Sequence, residues 1–356
     1  MRSYISLITT AFLQKHGLPN LISHKYFSEG SNKRDGNLPF FFLPYNISIT
    51  ITWRCDSRCY MCNIWKNKTH ELSFDEWKRV FASMGRSPFF ATFTGGNQFL
   101  RDDFSDIVNE FIRICKPRII TIPISGTMPA KIYSQVLKIA KACEKNKVLL
   151  YLNLSLDGLR DVHNSIRGVK SYQKTLMAFR MLKRIRKKGI HLGIITVVSK
   201  MNKEQLEMLQ KEVARLKPKS HYIEFVQERR ELCNIGEGIE LSQQDVADIA
   251  CKLQSYKSQK HIGLKGTMRK KYYSLVNKAV SKKITPVCYA GISSIQIAPN
   301  GDVWRCGQKG EVIGNLRDTQ YNIKRILFAV PRKKIKGCFC YNTNVQYSNM
   351  LNGLVP

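Results

Sequence analysis

The chain has 356 residues, 43% of them hydrophobic, with 58 Lys and Arg against 26 Asp and Glu, for a formal net charge of +32. That apolar content supports a sizeable core and excludes an intrinsically disordered chain. Eleven cysteines spread over such a length exclude a small disulfide scaffold. The charge favours anionic partners such as nucleic acid, an acidic membrane or an acidic substrate, although part of it falls at helical spacing in Arg180, Lys183, Arg184, Arg186, Lys187 and Lys188, as on a solvated helix face.

In residues 1–45, Ile5, Leu7, Ile8, Phe12 and Leu13 fall on one helical face, which Gly17 and Pro19 would end. Such a helix either packs on the domain that follows or docks on a membrane surface or partner. Residues 38–44 are apolar and punctuated by prolines. From residue 47 the pattern alternates. Strands are predicted at 47–53, 89–93, 118–124, 148–156, 190–198 and 222–226. Helices are predicted at 73–84, 102–115, 130–145, 171–188 and 203–216, the first opened by a Ser73-to-Glu76 capping box. Six strands alternating with helices predict a parallel sheet with right-handed crossovers over residues 46–230. Residues 231–285 read as a helical basic connector, with a helix at 243–256 and a basic stretch at 265–283. Residues 286–356 bear cysteines and open with a hairpin turning at Asn300-Gly301. No apolar run of about 18 residues predicts a membrane span, and no cleavage pattern marks a signal peptide. Cysteines clustered as for metal imply a reducing compartment, hence a cytoplasmic protein, with membrane association as the alternative.

The chemistry is concentrated at Cys55, Cys59 and Cys62, on a loop directly after the first strand. Thiolates are soft ligands suited to iron–sulfur clusters or zinc, and three of them can hold three corners of a cubane while leaving one iron open. The Cys-x-x-x-Cys-x-x-Cys spacing resembles the radical S-adenosylmethionine (SAM) superfamily. That resemblance implies a partial six-unit (β/α) barrel of the TIM type and a [4Fe–4S] cluster whose open iron chelates SAM. It also implies an external electron donor such as a flavodoxin or ferredoxin, and reductive cleavage to a 5′-deoxyadenosyl radical that abstracts hydrogen from a substrate. Thr94-Gly95-Gly96-Asn97 matches the family's Gly-Gly-Glu strand end with Asn in place of Glu. A neutral acceptor then replaces a charged one, and Asn97→Glu is expected to keep or tighten SAM binding. Ser155 to Gly158, followed by Ile166-Arg167-Gly168, resembles the peptide-modifying and sulfatase-maturing branch, in which the matching Ser and Arg bind SAM. His163 between them reads as structural.

Cys288, Gly301 and Cys306, with Ile313 to Leu316, resemble the opening of a SPASM or shorter twitch extension, and Cys338 and Cys340 complete four candidates for one auxiliary [4Fe–4S] cluster; zinc or no metal are the alternatives. Cys115, Cys143, Cys233 and Cys251 read as packing residues. The resemblance implies a peptide or protein substrate. The alternatives are a membrane lipid or other anionic substrate, or a non-enzymatic iron–sulfur or zinc protein that binds nucleic acid, for which no aromatic RNA-binding signature or zinc-finger spacing is present. No catalytic side chain is assigned.

Overall fold

The computed structural model describes residues 43–86, 88–256, 264–331 and 333–354. The helical face and most of the proline-punctuated stretch expected before residue 45 lie outside them. Isoleucines at 47 and 49 alternate with Asn46, Ser48 and Thr50, so β1 (Asn46–Thr50) buries one face in the main apolar core and turns a polar face the other way. α1 (Phe74–Met84) follows its capping box and buries Trp77, Val80, Phe81 and Met84. Then come β2 (Phe90–Thr94), α2 (Phe104–Cys115), β3 (Ile119–Ile124), α3 (Pro129–Lys145), β4 (Leu149–Ser155), the short α4 (Arg160–Arg167), α5 (Tyr172–Lys183), β5 (Ile190–Val198), α6 (Leu206–Leu216) and β6 (His221–Phe225). α5 stops five residues before its expected end. Glu144 at the end of α3 captures the Lys187 ammonium at 2.7 Å and the Lys188 amide at 3.1 Å, which draws the chain away from the helix axis.

The six strands are parallel neighbours in chain order, the parallel sheet that alternation predicts and the α/β partial barrel that the resemblance implies. Beyond them lie α7 (Gln243–Ser255), α8 (Leu264–Val280), β7 (Val287–Cys288), β8 (Ser294–Ile297), β9 (Asp302–Trp304), β10 (Val312–Asn315), α9 (Ile323–Ala329), β11 (Ile335–Lys336) and α10 (Thr343–Leu354). The basic stretch at 265–283 is thus largely helix α8. The expected hairpin forms, with Ile297 opposite Val303. It does not stand apart: β8 pairs in parallel with the outer edge of β1, Ile295 beside Ile47, so one nine-stranded sheet runs β10-β9-β8-β1-β2-β3-β4-β5-β6.

The sheet is open between its ends, and α10 lies against that opening, packing on β7, β8 and α8. Asn46 Nδ2 on β1 donates to Asn344 O at 3.0 Å and Ser348 Oγ at 2.8 Å. Asn344 Nδ2 donates to Thr92 on β2 at 3.1 Å, and Thr343 donates to Glu224 on β6. Residues on the strand faces away from the main core therefore line a lumen. The register sets Gln296, Ser48, Thr92, Thr121, Tyr151 and His191 side by side, with Pro123, Asn153 and Gly193 in the next tier. Among the described residues no helix is long and apolar enough to cross a membrane.

Candidate active site

The loop carrying Cys55, Cys59 and Cys62 leaves the C-terminal end of β1, where barrel sites lie. Two segments grip it. On one side the end of β2 folds over it: Gly96 N–H donates to Thr52 O and Asn97 N–H to Arg54 O, both at 2.8 Å. A Cβ on Gly96 would stand 2.2 Å from Arg54 O. Glycine here serves the close crossing of two backbones, whereas the sequence suggests only the approach of a ligand. On the other side Arg58 N–H donates to Arg167 O at 3.0 Å and Tyr60 N–H to Ile166 O at 2.8 Å. Gly168 ends α4 at φ 62°, and a Cβ there would meet Arg58 O at 2.3 Å. The Gly-Gly-Asn and Ile-Arg-Gly stretches, 71 positions apart in sequence, thus form the two walls of the cysteine loop.

Burial raises the proton affinity of the Cys55 and Cys62 thiols, and the neighbouring Cys59 adds to both. Cys55 and Cys62 also pack on Trp53, Ile64 and Ala298, and Trp53 stacks on Trp304 of β9 at 5.9 Å. Arg167 lies behind Cys59, its Nη1 3.8 Å from the sulfur and its Nη2 2.6 Å from Asp157. Arg167 Nε and Ser57 Oγ are buried with no hydrogen-bond partner among the described residues. Such orphaned donors suit a ligand with acceptor atoms, as a cluster sulfide or a carboxylate has. Ser155 sits half-buried on the lumen face at the end of β4. His163 is fully buried, accepts from Asp157 N at 3.2 Å and pairs with Ser171 at 3.1 Å. Burial holds its ring down to about 4, so it is neutral at pH 7 and structural.

Asn97 is engaged within the protein. Its Oδ1 accepts from Phe99 N at 3.2 Å, capping the turn at Gln98–Leu100, and its Nδ2 donates to Asp56 Oδ1 at 2.9 Å and Thr127 Oγ1 at 3.1 Å. The sequence singles out neither Asp56 nor Asp157, although both lie inside the quoted motifs. Glu231 was also missed. It is buried, accepts from Thr50 on β1 at 3.3 Å and from Gln296 on β8, and burial raises its carboxyl. It stands in Glu228 to Asn234, which no motif marks. That segment joins the cysteine loop, through Asn63 N to Leu232 O at 2.8 Å and Asn234 Nδ2 to Met61 O at 2.6 Å. It also joins the turn after Cys306, through Glu231 N to Gly307 O at 3.2 Å.

Cys288, Cys306, Cys338 and Cys340 are gathered into one cluster, around Ala290 and Val345. β11 pairs with β7 and so brings Cys338 back beside Cys288. The Cys288 and Cys338 thiols interact. That interaction pushes the Cys288 thiol up and holds the Cys338 thiol down. Burial pushes Cys340 up to about 11, and Gln346 of α10 donates to its carbonyl at 2.8 Å. Cys115 and Cys143 are buried in the main core, as their reading as packing residues predicts. Cys251 is exposed, and Cys233 lies against Asn67, its sulfur 3.3 Å from Oδ1. Among the described residues no three His, Cys, Asp or Glu side chains converge as the ligands of a single metal ion would. A four-iron cubane is held at its separate corners and does not require that convergence.

Residues 49–213 match the Radical SAM superfamily model. No curated protein matches the chain. Among solved structures, native anSMEcpe with bound AdoMet is similar over 85% of this chain and 82% of its own, at 15% identity and TM-score 0.56. Streptococcus suis SuiB is similar over 74% of this chain and 60% of its own, at 18% identity and TM-score 0.53. SuiB bound to precursor peptide SuiA is similar over 97% of this chain and 79% of its own, at 16% identity and TM-score 0.54. Residues 49–213 thus match a radical SAM domain, and the chain shares the fold of these structures.

Proposed function

We propose that Cys55, Cys59 and Cys62 hold a [4Fe–4S] cluster with one open iron, that SAM binds there, and that the substrate is a peptide or protein. When bound, cluster and SAM together supply reductive cleavage of SAM and abstraction of a substrate hydrogen. The chain supplies placement and exclusion of water. Gly95, Gly96 and Asn97 form one edge of the SAM site, and Ser155 and Arg167 the other. The observation that carries this reading is the cysteine loop clamped between those two edges, with the buried Arg167 Nε and Ser57 Oγ left without protein partners. The matched proteins bind AdoMet and, in one case, a precursor peptide, as their descriptions state. An external donor such as a flavodoxin or ferredoxin would deliver the electron in a reducing, cytoplasmic setting.

The strand positions facing the lumen carry hydroxyl, amide and aromatic groups together with aliphatic ones such as Ile195 and Val197, with Glu224 the single carboxylate and no Lys or Arg. That lining favours an uncharged polar side chain of a peptide over the anionic headgroup of a lipid. The four cysteines of the C-terminal region would hold an auxiliary [4Fe–4S] cluster in a twitch-like extension.

Anaerobically reconstituted protein should release 5′-deoxyadenosine from SAM on reduction, and Cys59→Ala should stop it; unchanged release from that variant overturns the assignment. A chain lacking Cys55, Cys59 and Cys62 should still bind about four iron atoms, and further loss of Cys306 and Cys338 should remove them. A folded triple variant without iron would mean that the extension carries no cluster. Mass spectrometry of candidate peptides after reaction identifies the substrate.

A further inference from the structure

The segment after β6, residues 227–231, is stitched to both halves of the second cysteine group. On one side Arg230 N–H donates to Gln308 O at 3.1 Å and Glu231 N–H to Gly307 O at 3.2 Å, in the turn directly after Cys306. On the other side Tyr341 N–H, next to Cys340, donates to Gln227 Oε1 at 2.8 Å. Arg229 falls between these two attachments.

Its backbone is fixed, the N–H donating to Asn234 Oδ1 at 2.6 Å, but its charge has no anion. The side chain is half-buried, and its Nε is buried with no hydrogen-bond partner among the described residues. Among those residues no carboxylate forms an ion pair with it. Its field reaches two groups. Burial raises the proton affinity of Cys340 and of Glu231, and the Arg229 charge opposes burial at each. Glu231 does not serve as the counter-ion, because it accepts from Thr50 and Gln296 instead and burial pushes it towards its neutral form. A second cation, Lys309, acts on Cys338 from the turn after Cys306, but it is exposed. A guanidinium withdrawn from water without a counter-ion is unfavourable. An anion among the four sulfurs is what the position calls for, and an oxidised four-iron cluster with four thiolate ligands is a dianion.

We propose that Arg229 is the charge partner of a [4Fe–4S] cluster on Cys288, Cys306, Cys338 and Cys340, and that it raises the reduction potential of that cluster. The proposal rests on the reading of these four cysteines as cluster ligands. Taking up one electron turns the dianion into a trianion and breaks no bond. A cation beside it favours the reduced form over the oxidised one, and an N–H available to sulfur acts in the same direction. Arg229 supplies both, from a position that water screens poorly. Lys309 is screened by solvent and contributes far less.

The test is a redox titration followed by electron paramagnetic resonance. It uses the full chain with Cys55, Cys59 and Cys62 replaced by alanine, so that the second cluster is read alone, and iron is measured for every variant. Arg229→Gln, or Arg229→Met where the former loads no iron, should move the ratio of oxidised to reduced cluster at a fixed potential at least about tenfold towards oxidised, which is about 59 mV for one electron. Arg229→Lys should give part of that shift, because it keeps the charge without the planar fork. Lys309→Gln should change the ratio less than about twofold. An unchanged midpoint in the neutral Arg229 variant, at the iron content of its parent, overturns the proposal. So does an equal shift from Lys309→Gln, which would make the effect one of net charge alone. Loss of iron from both neutral variants overturns it as well, by making Arg229 a support of the fold. A folded parent that binds no iron would refute the cluster reading itself.

Discussion

At the scale of single residues the site depends on places where two backbones nearly touch. Gly168 is the sharpest case, because it is both left-handed at φ 62° and pressed on Arg58 O. Gly168→Ala adds conformational strain to a steric one and is expected to destabilise the protein by about 2–4 kcal/mol. Lower iron uptake on reconstitution should accompany it, because the strand of loop it displaces leads into Cys59. Thermal unfolding and iron analysis of the same preparation check both. The positions of Gly96 and Gly168 were legible in the sequence. Their partners were not, since spacing along the chain does not reveal which other segment crosses at a glycine. Asp56 and Asp157 were passed over for a related reason: each acts through a side chain fixed only in three dimensions.

Secondary elements were read best where local chemistry decides them. The α1 capping box forms as written, Ser73 N donating to Glu76 at 2.7 Å. What the sequence could not show is that Glu76 also receives Arg317 at 3.0 Å and Tyr321 at 2.7 Å from the segment after β10. Burial opposes ionisation of Glu76, but the bonds from Ser73, Tyr321 and Arg317 outweigh it and hold the carboxyl at about 2, below its ordinary 4.5. A carboxyl depressed in the folded state stabilises above its unfolded value, and that contribution is lost as pH falls from about 4.5 towards 2. Glu76→Gln should therefore cost about 1–2 kcal/mol at pH 7, and the gap to wild type should close across that acid window in denaturant melts. α10 was invisible for the opposite reason. Thr343, Asn344, Gln346, Ser348 and Asn349 dilute its apolar side, where Tyr347 and Met350 pack, because another side meets polar strand faces. Asn46→Ala removes two donations to this helix and should cost about 1–3 kcal/mol, with faster hydrogen exchange over residues 343–354 than in wild type.

For the molecule as a whole, the excess charge does not extend to the strand rows of the lumen. The formal charge of +32 suggests anionic partners, yet the lumen rows carry no basic side chain. Any attraction to an acidic surface then acts from outside the barrel. Association with anionic vesicles should fall steeply between about 0.1 and 1 M salt, as the Debye length shrinks from about 10 to about 3 Å. SAM affinity over the same range should change much less. Vesicle binding that resists salt would point to apolar insertion instead. The six-strand parallel sheet was readable in advance from alternation and crossover handedness, and its barrel form only from the resemblance of the cysteine motif. The junction of the C-terminal hairpin with β1 was not, because a strand of four residues announces no partner.

That junction bears on how the protein is made. β1 receives β2 soon after it leaves the ribosome, but its other neighbour, β8, is encoded almost 250 positions later, Ile295 beside Ile47. At roughly 5–20 residues per second, the interval between the two is about 12–50 s. Throughout it the nascent barrel holds an apolar, hydrogen-bond-hungry strand edge bare, next to the loop destined for the first cysteine triplet. Synthesis therefore passes through a period in which the reactive thiols are present and the strand that shields their side of the sheet does not yet exist. Chains stalled before residue 294 should be captured by holdase chaperones, and release should follow once β8 can dock.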